Sequence, residues 1–195
     1  MLVAMARWEP NARERLVRAA LDLFTEQGYD ATTVNEIAER AGGLTKTTFF
    51  RHFPDKREVL FAGQEIHRRI LADAIAEAPA SATPLQAVAA ALDALAATFT
   101  EDRREFSTRL RAVIAANDEL RERATFKRVA LADAITEALQ HRGTPAPPAD
   151  IAADLGVRAF YRAFEQWADP AEQRPLVDVA RQTLDELTTA MATLT

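Results

Sequence analysis

No stretch of this sequence alternates apolar and polar residues for long enough to build a half-buried strand, and that absence removes sheets from consideration. Apolar residues recur instead at three- and four-residue spacing, the mark of a helix that buries one face. Forty-one of the 195 residues are alanine, and Leu, Arg and Glu are also frequent, all strong helix formers. The six glycines and nine prolines fall mostly between the periodic segments. An all-α fold of about nine helices is expected.

A chain of this length buries roughly 70% of its extended surface, so it needs neither disulfide nor metal as a staple. It has no cysteine, which excludes thiolate catalysis and Cys-ligated zinc. The longest uncharged stretch, 78–92, is too short to cross a bilayer. Near the N-terminus Arg7 and Glu9 interrupt any apolar run that a secretion signal would need. A cytoplasmic protein with no membrane partner is expected. The net charge of −5 argues at first against a nucleic-acid partner. Residues 1–62, however, hold nine Lys/Arg and nine Asp/Glu, while the remainder holds 15 against 20. The acidity therefore belongs to the second part, and a neutral first part can still carry a local basic surface.

The first helix is expected over 10–27, with Leu16, Ala20, Leu23 and Phe24 as its apolar stripe and Gly28 as its stop. Thr33 opens a short second helix, with Glu36 three residues on as a capping box. Gly42-Gly43 ends it. A third begins at Thr45 and carries Lys46, Thr47, Thr48, Phe49, Phe50, Arg51 and His52. Pro54 stops that one, and Asp55-Lys56-Arg57-Glu58 predicts the start of a long fourth. Later helices are expected over 84–100, 103–116, 118–142, 150–168 and 171–193, with 143–149 as a loop. Three compact helices with a glycine turn before the third resemble a helix-turn-helix unit. In the third helix Lys46, Thr47, Thr48 and Arg51 form a cluster of donors, and Phe49 and Phe53 hold its inner face. Such donors suit base edges and phosphates. A solvated polar face on a bundle helix would have the same composition.

The stretch from Arg15 to Gly42, RLVRAALDLFTEQGYDATTVNEIAERAG, continues from Thr45 to Leu60 as TKTTFFRHFPDKREVL. Together they resemble the TetR family of bacterial transcriptional regulators, over a quarter to a third of the chain. The resemblance implies a helix-turn-helix DNA-binding domain over 1–55 and a helical effector-binding and dimerisation domain over 56–195. It implies that Thr33 touches phosphate, that Lys46 and Thr47 read bases, and that Thr48 and His52 hold the DNA backbone. Thr45, Phe50 and Arg51 lie on the same reading element, and Lys56 matches a phosphate-binding lysine. Phe50 stands where the family commonly has a tyrosine whose hydroxyl touches phosphate, so that contact is lost. Gly42-Gly43-Leu44 is one residue longer than the usual turn.

By the same resemblance the protein is a homodimeric repressor that a small molecule releases from double-stranded DNA; an activator has the same sequence signals. His67, Phe99, Phe106, Phe126 and Tyr161 are the candidate walls of an effector pocket, with core packing as the alternative. Phe160, Phe164 and Trp167 (i, i+4, i+7), with Leu184 and Leu187, are candidates for the dimer interface or equally for the core. The histidines, His52, His67 and His141, show no metal-ligand spacing. No Ser-His-acid set, phosphate-cradling glycine loop or cofactor motif occurs. No enzyme activity, metal or cofactor is expected.

Overall fold

The computed structural model describes residues 12–194. Within them run α1 (Ala12–Gln27), α2 (Val34–Arg40), α3 (Lys46–His52), a 3-10 turn (Arg57–Phe61) and α4 (Gln64–Glu77). Then come α5 (Pro84–Ala96), a 3-10 turn (Glu101–Arg103), α6 (Arg104–Ala115), α7 (Asp118–His141), α8 (Ala146–Trp167) and α9 (Leu176–Ala192). The all-α expectation holds among the described residues; the Pro10 start expected for the first helix lies outside them.

The chain forms two compact units. The first takes in the segment up to Ala62 together with Arg109–Leu120, and the second takes in Gly63–Thr108 and the chain from Arg121 onward. In the first unit Leu16, Ala20, Leu23 and Phe24 of α1 are buried with Ile37 and Ala38 of α2 and Phe49 of α3. In the second, one core joins Leu71 and Ile75 of α4, Val88 and Leu92 of α5, and Ile135 of α7. Phe160 and Trp167 of α8 and Leu176 and Leu184 of α9 complete it. Glycine at position 156 lets α8 approach α5 closely, since a Cβ there would stand 2.4 Å from a Val88 methyl.

Three expected helix starts differ by more than a residue, and the helix expected over 84–100 ends at Ala96. The fourth helix does not begin at Lys56. Asp55 does accept from the backbone N–H groups of Arg57 and Glu58, but a 3-10 turn follows and α4 opens only at Gln64. The carbonyl of Ala62 is taken by the Arg13 guanidinium, and Gly63 is a poor helix former, so the turn does not propagate. At the other extreme α8 begins at Ala146 and takes in part of the expected loop. Pro147 and Pro148 occupy its first turn, where no backbone N–H is needed. Helix α9 begins at Leu176, not 171, because Glu172 and Asp169 draw the N–H groups of Gln173, Arg174 and Ala171 into a turn.

Candidate nucleic-acid interface

The turn before α3 decides how that helix is presented. Gly42 and Gly43 both adopt left-handed backbone, with φ of +94° and +72°. Their N–H groups reach Glu39 O at 3.0 and 2.9 Å, and Leu44 N donates to Ala38 O at 2.8 Å. Two consecutive left-handed glycines thus make this turn. Arg15 of α1 braces the turn from outside, donating Nε to Ala41 O at 2.7 Å and Nη2 to Gly42 O at 3.2 Å. A guanidinium on the last carbonyls of α2 also meets the negative end of that helix.

Thr45 caps α3, its hydroxyl accepting from Thr48 N at 3.1 Å and lying 3.0 Å from the Thr48 hydroxyl. Phe49 and Phe53 face inward, 0% and 2% exposed, and pack as a tilted pair with centroids 5.4 Å apart. On the opposite side Lys46, Thr47, Phe50 and Arg51 are all exposed. The Lys46 ammonium lies 5.9 Å from the Phe50 ring. His52 is half-buried, and its Nε2 has no hydrogen-bond partner among the described residues.

Thr33 closes the expected capping box: it accepts from Glu36 N at 3.2 Å, and Glu36 Oε2 takes both its hydroxyl and its N–H at 2.7 Å. Those hydrogen bonds from Thr33 hold the Glu36 carboxyl below the usual range. Lys56 is placed differently from a simple phosphate ligand. Its Nζ donates to Tyr29 O at 2.7 Å and Thr32 O at 2.9 Å, and sits 3.9 Å from the Tyr29 ring centroid. Burial pulls this ammonium below the ordinary lysine range. It clamps the loop between α1 and α2, with one N–H left for another acceptor.

Around that loop stands a polar cluster absent from the sequence expectations. Tyr29 donates its hydroxyl to Glu119 at 3.4 Å, and Glu119 also meets Arg57 at 3.3 Å. Asn117 reaches Asp30 at 3.3 Å, and Arg109 pairs with Asp22 at 2.6 Å. Burial, with the Glu119 charge, pushes the Tyr29 phenol well above its ordinary value. These partners lie 62 to 90 residues apart in sequence, so no local pattern could announce them.

In the second unit, three of the five pocket candidates come together. His67 and Phe99 meet tilted at 5.4 Å, Phe99 and Phe160 tilted at 5.8 Å, and Phe160 and Tyr161 edge-on at 5.8 Å. Gln64 and Arg128 hydrogen-bond Tyr161, and the Arg128 guanidinium lies 4.1 Å over its ring. Burial, reinforced by Arg103, pulls the His67 imidazole below its ordinary value. Phe126 does not belong: it is 60% exposed on α7 beneath Arg123. Phe106, half-buried on α6, joins none of these ring contacts among the described residues.

Of the interface candidates, Phe160, Trp167 and Leu184 are turned into the chain's own core, 5%, 1% and 6% exposed. Phe164 and Leu187 are half-buried against the same core. Helical spacing shows that a face is buried but not by what. The large apolar side chains left exposed on α8 and α9 are Ile151 and Met191.

Residues 16–62 match the model of the family described as bacterial regulatory proteins, tetR family. The HTH-type transcriptional regulator TcmR of Streptomyces glaucescens is 42% identical over 85 residues, covering 44% of this chain and 37% of that protein. The class A tetracycline repressor from transposon 1721 of Escherichia coli is 40% identical over 58 residues, covering 30% of this chain and 25% of that protein. The chain thus spans well under half the length of these relatives. Across nearly its whole length it shares its fold with the transcriptional regulator FadR of Bacillus subtilis, whose structure holds stearoyl-CoA. That likeness has a TM-score of 0.61 at 18% identity and covers 89% of this chain and 96% of the other. Over residues 16–62 the chain thus carries a head sequence of the kind described as bacterial regulatory proteins, tetR family, and over its greater length the likeness is one of all-helical fold.

Proposed function

We propose that this protein is a homodimeric transcriptional repressor of the cytoplasm that binds operator DNA through α3 and leaves it when a small molecule binds the second unit. The observation that carries the DNA reading is the division of α3 into two faces. Phe49 and Phe53 anchor it, while Lys46, Thr47, Phe50 and Arg51 stand exposed to solvent. An anchored helix with exposed donors is what a major groove accepts. Thr48 and His52 flank that face as backbone contacts, and Thr33 and Lys56 contribute to phosphate binding with whatever hydrogen-bonding capacity the fold leaves them.

The effector reading is supported by the run of rings from His67 through Phe99 to Tyr161, which combines apolar walls with the polar groups of Gln64 and Arg128. The dimer reading is supported by the exposed Ile151 and Met191 on α8 and α9. A two-fold interface uses one such patch on both copies.

The test is a gel-shift titration against DNA flanking the coding region, at several salt concentrations. Affinity should fall steeply with salt, because phosphate contacts release counterions. Lys46→Ala should weaken operator binding by about 1–3 kcal/mol and relax preference at one base pair per half-site. Operator affinity equal to wild type in that variant would remove α3 from the reading surface.

A further inference from the structure

Among the phenylalanines of the first unit, Phe24, Phe49, Phe53 and Phe61 are buried at 8% exposure or less, whereas Phe50 is 45% exposed. Folding alone gives no reason for a large apolar ring at that position, since a polar side chain would sit there at no cost in burial. The ring is nevertheless held in place. It packs edge-on against Phe49 with centroids 5.5 Å apart at 82°, and Lys46 lies one turn before it on the same face. The exposed residues beside it on α3 carry donors: the Lys46 ammonium, the Thr47 hydroxyl and the Arg51 guanidinium.

A complementary surface must therefore offer one apolar spot surrounded by hydrogen-bond acceptors and negative charge. The major groove has that arrangement at thymine, whose C5-methyl group projects beside the O4 acceptor and the purine N7 acceptors, between two phosphate backbones. A phenyl ring has no hydrogen to give a phosphate and no lone pair for an amino group, so its contribution to binding must be apolar contact. We infer that Phe50 is a specificity-determining residue that packs on the C5-methyl of a thymine adjoining the base pair met by Lys46. The inference rests on the reading of α3 as the groove helix and adds a base preference to it.

The experiment uses the full chain and the tightest-binding duplex selected from a randomised pool. Each thymine is replaced in turn by deoxyuridine, which deletes the methyl group and leaves every hydrogen-bonding edge unchanged. At one thymine per half-site the replacement should weaken binding about four-fold, the value of one buried methyl-sized group. Phe50→Ala should bind the parent duplex more weakly and no longer distinguish thymine from deoxyuridine there, while Phe50→Leu should keep part of the discrimination. Because the side chain is exposed, circular dichroism of both variants should match wild type. If the selected duplex binds tightly and every deoxyuridine replacement is neutral, or if Phe50→Ala keeps the discrimination, the Phe50 assignment is wrong and the DNA reading stands. If no duplex is enriched from the pool, the DNA reading fails and the inference falls with it.

Discussion

Lys56 stands where the family resemblance places a phosphate ligand, yet its ammonium is already bonded to two carbonyls of the α1–α2 loop. The two roles are separable by experiment. Lys56→Met keeps an unbranched side chain of similar length and removes both hydrogen bonds, leaving Tyr29 O with the Thr32 N–H alone and Thr32 O to find water or go unpaired. An unpaired buried carbonyl costs about 1–3 kcal/mol, so this variant should lose stability of that order in urea unfolding. Unfolding identical to wild type, accompanied by weaker DNA binding, would make Lys56 a phosphate ligand and not a clamp. Arg15 acts on the same scale: a residue of α1 fixes the carbonyl end of α2, and through it the place where α3 begins.

At the scale of elements, the turn between α2 and α3 carries two consecutive left-handed glycines with unequal surroundings. Around Gly43 there is open space for a Cβ, whereas at Gly42 the Cβ would stand 2.1 Å from Arg15 Nη2. Gly43→Ala should therefore cost only the backbone penalty, about 1–2 kcal/mol. Gly42→Ala carries the same penalty and also displaces the guanidinium from its carbonyls, adding roughly 1 kcal/mol. In an Arg15→Ala background the two glycine substitutions should become nearly equal, because the shared partner is gone. Thermal unfolding of the five variants checks this; a Gly42→Ala penalty unchanged in that background would show that Arg15 does not brace the turn.

For the whole molecule, the proposed dimer turns on which apolar surface would meet a second copy. Phe160 and Trp167 are occupied by the subunit's own core, and what remains outside on α8 and α9 is Ile151 and Met191. Sedimentation of the wild-type chain should give the mass of two copies. Ile151→Glu and Met191→Glu should move it toward one copy with helix content intact, since a charge at a two-fold interface is met twice. Phe160→Glu should instead reduce stability by several kcal/mol, as an unpaired buried carboxylate does. A dimer that tolerates both exposed substitutions would place the interface elsewhere.

Features whose causes lie within a few residues were legible in the sequence. Gly28 closes α1, the Thr33–Glu36 box opens α2, and Phe49 and Phe53 lie on one face of α3. Each follows from backbone geometry over a single turn. What depends on distant partners was not legible. Only the folded chain brings Arg13 to Ala62 O and so ends the turn after Lys56, and only it brings Glu119 to Tyr29. The stripe of Phe160, Phe164 and Trp167 makes the same point from the core. Its spacing required a buried face, but tertiary packing alone decided that the covering surface was the chain's own, because hydrophobic burial is non-directional and any apolar neighbour satisfies it.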